Sequence, residues 1–180
     1  MSRLSCAAIA GALSVPVLAG CGADPAPLSD HSLTELCQQP EQLLADVWNL
    51  PEPVVGTAKV PNSDHIDRIG AGGHCTFDAN GASVASLSLI RDTPGFGDPP
   101  NDAHAISVGE HTVKTWAIHS IRLTFEAVIG GWEASITLTP GADLHTGKPA
   151  ATDDQMKATA NKLVDILAEF KGPDFTPTPH

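Results

Sequence analysis

The spacing of apolar residues changes several times along the chain, and each change predicts an element. Residues from Ala7 to Val17 form an almost unbroken apolar run. Further on, Ser32-Leu33-Thr34-Glu35 has the form of a capping box and predicts a short helical turn through Cys37. Pro40 suits a first helical position. Leu43, Leu44, Val47 and Trp48 then share one helical face until Pro51 and Pro53 end it. Thr57 to Gly73 shows no clear period and reads as irregular.

From His74 the period drops to two. Ala85, Leu87 and Leu89 alternate with Ser86, Ser88 and Ile90, and Asn80-Gly81 ahead of them is a tight-turn signal. A hairpin of Cys75–Asp78 and Ser83–Arg91 follows from this. Ile121, Leu123, Phe125, Ala127 and Ile129 form one apolar set, and Trp132, Ala134, Ile136 and Leu138 form the next. Gly130-Gly131 lies between them as a two-residue loop pairing Ile129 with Trp132. A turn at His119-Ser120 would place Trp116 and Ile118 on the same apolar side, giving a meander from Thr112 to Thr139. Met156, Ala160, Leu163, Val164, Leu167 and Phe170 return to helical spacing over Asp153 to Lys171. Thr152 and Gln155 cap that helix, and Gly172-Pro173 stops it. The fold class expected is α+β: an antiparallel sheet of about five strands, packed on one side by an N-terminal and a C-terminal helix.

The early apolar run is too short for a membrane span, which takes about 20 residues. With Arg3 before it and Leu18-Ala19-Gly20-Cys21 after it, the segment resembles the signal peptide and lipobox of a bacterial lipoprotein. That resemblance implies cleavage before Cys21 and a diacylglycerol on its thiol. Acyl chains contribute about 0.8 kcal/mol per buried methylene, so two chains anchor stably where one is marginal. The organisation expected is residues 1–20 as signal peptide, 21–31 as lipidated Cys and flexible tether, 32–172 as one α+β domain, and 173–180 as a loose tail. The location expected is the extracytoplasmic face of the cell membrane.

Composition narrows the function classes. The formal net charge is −11, dispersed and without a basic patch. Nucleic acid, which demands cations against its phosphates, is excluded as a partner. With 4% aromatic residues and no Tyr, stacking on sugars or bases is not a dominant theme. After Cys21 only Cys37 and Cys75 remain, and an isolated pair in an exported protein reads as a disulfide. A metal or redox pair would call for close spacing or further ligands.

The order of elements also carries a resemblance. A lipobox, a short tether, a Cys before an N-terminal helix, a second Cys in Cys75-Thr76-Phe77, a meander and a final helix together resemble the small cell-envelope lipoproteins of mycobacteria and related actinobacteria. Many of those are domains of unknown function, and an aromatic residue, often Trp, stands where this chain has Phe77. The resemblance implies a sensor or ligand-binding role and names no ligand.

Motifs that carry chemistry are sparse. His31, His65, His74, His104, His111, His119 and His145 are scattered without an H-x-H or H-x-x-x-H pair. His111 and His119, on adjoining strand and turn, and His104 with Asp98 and Asp102, in the preceding loop, are the residues whose convergence would make a metal site; solvated histidines explain the pattern better. Gly147-Lys148 lacks the spacing and the Ser or Thr of a phosphate loop, and Gly70–Gly73 precedes a strand, not a helix. Asp64 and Asp67 do not match a calcium loop. No G-x-S-x-G or H-E-x-x-H occurs, and no cofactor is implied.

The loop from Asp92 to Ala105, rich in Pro, Gly and Asp, is the candidate recognition segment through Phe96, Asp98, Asp102 and His104. The function expected is a lipid-anchored, non-enzymatic ligand-binding or protein-interaction module, with an apolar small molecule or an envelope protein as partner. A carrier would show an apolar pocket lined by Trp116, Phe125 and Leu163. A partner protein would use an apolar patch near Phe96 or the polar sheet face bearing Arg122, Glu126 and Thr137. The alternative is an envelope hydrolase with a site assembled from distant residues.

Overall fold

The computed structural model describes residues 30–59, 69, 72–91, 99–119, 121–140 and 150–174. Cys21, the residues before it and most of the tether lie outside this set.

Two meanders share one sheet. The first comprises β1 (Val54–Lys59), β2 (Gly72–Ala79) and β3 (Ala82–Arg91). The second comprises β4 (His104–Val108), β5 (His111–Ile118), β6 (Arg122–Ile129) and β7 (Trp132–Leu138). They join where β3 pairs with β7, so the order is β1-β2-β3-β7-β6-β5-β4, antiparallel throughout. The sheet thus has seven strands instead of five. The two additional strands, β1 and β4, are its two edges.

The tight turns follow their sequences. Asn80-Gly81 and Gly130-Gly131 all take positive φ, as the two central residues of the favoured hairpin turn require. Ala79 therefore faces Ala82, and Ile129 faces Trp132. The β5–β6 connection departs from expectation. Ile118 pairs with Arg122, not Ile121, so three residues form the loop instead of two, and His119 enters it at φ 50°. One extra loop residue turns every β5 side chain over. Val113 and Thr115 are buried in the core, Trp116 lies across from Thr124 on the other face, and Ile121 is exposed. The Thr115 hydroxyl is buried there without a hydrogen-bond partner.

Both helices cover one face of the sheet. α1 (Leu33–Gln38) and the wide helical turn at Leu43–Val47 pack at the β1–β2 end, and α2 (Asp153–Phe170) packs on β4 to β7. Ser32 with Glu35, and Thr152 with Gln155, close both sides of their capping boxes. Between helices and sheet, Leu36, Leu44, Phe77, Leu87, Leu89, Phe125, Ile136, Leu163 and Leu167 are excluded from solvent. Full burial of such a side chain contributes about 1.5–3 kcal/mol.

Polar contacts fix the layers in register. The Trp48 indole donates to Thr159 Oγ1 at 2.9 Å, Gln155 Nε2 donates to the Val47 carbonyl at 3.0 Å, and Lys162 Nζ donates to Gln39 Oε1 at 2.9 Å. Trp132 Nε1 donates to the Pro173 carbonyl at 3.1 Å, tying the residues after α2 to the β6–β7 turn. Cys37 and Cys75 form a disulfide whose Cα atoms are 5.5 Å apart, stapling α1 to β2.

Candidate functional site

Among the described residues, β4 is an outer strand of the sheet with no strand beyond it. Gly109, at φ 58°, is the first residue of the two-residue loop Gly109-Glu110, a position where only glycine adopts this turn without strain. Val108 and His111 close that hairpin as its hydrogen-bonded pair, and alternation makes Ile106 with Val113 and His104 with Thr115 the next such pairs. The N–H and C=O groups of Ala105 and Ser107 consequently point to the free edge. The strand reads His-Ala-Ile-Ser-Val, without the Lys, Glu or Pro that sheets commonly place on an edge to discourage pairing.

Beside this edge, α2 forms a wall. Ala105 to Val108 on one side and Asp153, Met156, Lys157 and Asn161 on the other enclose a groove of 380 Å³. Ile106, Val108 and Met156 are half-buried and rest on the core, so the floor is apolar. Asp153, Lys157 and Asn161 are exposed and give the rim both charge signs. The site therefore combines a row of backbone donors and acceptors, an apolar floor and a polar rim.

The opposite edge is closed. A second groove, of 340 Å³, runs between Glu41, Asp46 and Glu52 beside Val54, but its chemistry is already engaged. Glu41 Oε1 accepts the Gly56 N–H of β1 at 2.8 Å. The last turn of α1 lies so close that a Cβ on Gly56 would overlap the Cys37 carbonyl.

The sheet face away from the helices carries rows of small polar groups. Thr57, Thr76, Ser86, Thr137, Thr124 and Trp116 follow one another across six strands, and Lys59, His74, Ser88, Ser135, Glu126 and Lys114 form the next row. Thr124 and Thr137 share a hydrogen bond of 3.0 Å. Burial, and secondarily the charge of the facing Lys59, lower the His74 pKa below its ordinary value. Three strand spacings separate His74 from Glu126, roughly 14 Å at ~4.8 Å each, so they make no histidine–carboxylate pair.

Among the sequence-derived candidates, Cys21, Phe96 and Asp98 fall outside the described residues. Asp102 is exposed in the turn before β4, and His104 opens β4 itself instead of lying in a loop. His111 and His119 stand at opposite ends of β5, roughly 27 Å apart at ~3.4 Å per residue, so they do not converge. Among the described residues no group of His, Cys, Asp and Glu is placed to hold a metal. Phe125 and Leu163 are packed in the core, whereas Trp116 faces away from them, so these three residues line no common pocket. Ile106, Ser107, Met156, Lys157 and Asn161 were not candidates from sequence. The signal for β4 was there in Ile106 and Val108 on one side of Gly109-Glu110 and Val113 on the other.

No protein-family model matches this chain, and no curated protein is significantly similar to it.

Proposed function

We propose that this protein is a lipid-anchored, extracytoplasmic interaction module that engages a partner protein at the β4–α2 groove. The observation that carries the reading is the unequal treatment of the two sheet edges: β1 is capped by a side chain and overlain by a helix, while among the described residues none caps the outward backbone groups of β4, which lie beside an apolar-floored groove. The anchor rests on Leu18-Ala19-Gly20-Cys21 and the apolar run before it. Among the described residues no helix is long and apolar enough to cross a membrane, so a lipid on Cys21 would supply the attachment. Residues 22–30 would serve as the spacer between lipid and domain, since the His31 ring already rests against Phe170.

Two measurements test the two parts. Cys21→Ser should move the protein from the membrane fraction to the soluble fraction with its melting curve unchanged; retention at the membrane removes the anchor. A photoreactive residue at position 157, in cells, should cross-link to a discrete envelope protein, while the same group at position 41 should not. Equal cross-linking from both positions, or none from 157, overturns the groove as the interaction surface.

A further inference from the structure

The partner's chemistry can be taken further, on the reading that the groove is an interaction surface. We infer that its occupant is an extended peptide segment, added to β4 as an eighth strand, with apolar side chains at alternate positions and a Lys or Arg at each end.

The backbone sets the first requirement. The edge offers N–H and C=O groups at Ala105 and at Ser107, a two-residue repeat that only another extended chain matches group for group. Strand addition of this kind takes affinity from main-chain bonds and specificity from alternate side-chain pockets. Here the pocket is the floor of Ile106, Val108 and Met156, which accepts apolar side chains from one face of the incoming strand.

Charge sets the second requirement. Asp102 lies two residues before β4 and Glu110 two residues after it, both exposed, and Asp153 and Asp154 stand exposed at the start of α2. Both ends of the edge are therefore acidic, within a chain whose formal charge is −11. Basic flanks on the incoming segment meet carboxylates at each end, and the field of the whole protein favours their approach.

The same carboxylates argue against a second copy of this chain. A two-fold antiparallel pairing of β4 with itself about Ile106 sets Asp102 of each copy against Glu110 of the other, with like charges at both ends. A stable homodimer also buries about 800 Å² on each partner, and five edge residues beside a helix wall supply only part of that.

The experiment uses the full-length protein in detergent micelles and the heptapeptide Lys-Val-Thr-Ile-Thr-Val-Lys, with amide hydrogen exchange as the readout. The peptide should slow exchange of the Ala105 and Ser107 amides about ten-fold or more, as new main-chain bonds protect them. A Glu-flanked version should bind more weakly. A version N-methylated at the amides that would face β4 should not bind, and Ser107→Pro should abolish binding while leaving the melting temperature in place, because an outward-facing edge N–H is where proline is tolerated.

Unchanged exchange at saturating peptide overturns the inference. So does equal binding of the N-methylated form, which would make this a side-chain groove, or protection of β4 in a peptide-free dimer, which would make the occupant a second copy. Cross-linking from position 157 without peptide protection would retain the interaction surface and reject strand addition alone.

Discussion

The two edges of this sheet are built in opposite ways from similar material. β1 and β4 are both short, both begin a meander, and among the described residues both lack a strand on one side. At β1 the exposed N–H of Gly56 is taken by Glu41, α1 is stapled alongside through Cys37–Cys75, and Lys59 ends the strand. At β4 nothing comparable is present among the described residues; α2 stands back far enough to leave a groove. A free edge invites pairing with any extended chain, and proteins commonly suppress it. Suppression at one edge and not at the other, among the described residues, is what supports the proposal that β4 receives a partner.

By this contrast, disturbing the closed edge should cost stability, and disturbing the open edge should cost binding. The largest effect should come from Cys37→Ser combined with Cys75→Ser. Removing a bridge of sequence separation 38 should cost about 4 kcal/mol of unfolding free energy by loop entropy, read from denaturant midpoints. Gly56→Ala should follow at about 1–3 kcal/mol, since the new methyl forces α1 off β1; a melting temperature equal to wild type would show that the cover is loose. Glu41→Ala should cost about 1–2 kcal/mol by orphaning the Gly56 N–H. It should also make β1 an open edge, visible as concentration-dependent association in sedimentation; a strictly monomeric variant would mean the α1 cover alone closes it.

The smallest effect concerns pH. With its folded pKa below the unfolded value, His74 binds fewer protons folded than unfolded, so its contribution lowers stability as pH falls from about 6.5 through the folded pKa. His74→Asn should flatten that part of the stability curve, and coincident curves for the two proteins would rule His74 out.

Much of the architecture was readable in advance because interior strands and amphipathic helices must bury one face. The β2–β3 and β6–β7 hairpins follow from strict alternation around Asn-Gly and Gly-Gly, α2 from an apolar pattern of about five turns between Thr152 and Gly172-Pro173, and the bridge from an isolated cysteine pair. The two strands that escaped notice are the edges. Val54–Lys59 holds a glycine and only one buried residue, and His104–Val108 has none that is fully buried. A strand that buries little need not alternate, so its pattern carries little signal. The groove residues were missed for the same reason: Met156 reads as one more core position, and Lys157 and Asn161 as ordinary solvated helix positions.

The amino-acid sequence by itself determined the helices and the inner strands as elements, the tight turns that demand positive φ, the helix caps, the disulfide partners and the sidedness of β3, β6 and β7. Each of these depends on neighbours close in the chain or on a period that burial enforces. Only the tertiary structure decided the strand order, the face to which Trp116 and Thr115 turn, and which edge lies open. Strand order depends on where β4 docks after its long connection, and one loop residue more or less reverses a strand's faces with almost no change in composition. The edges differ because Glu41 and Cys37 reach Gly56 across the fold, while no described residue reaches Ala105 or Ser107 in the same way.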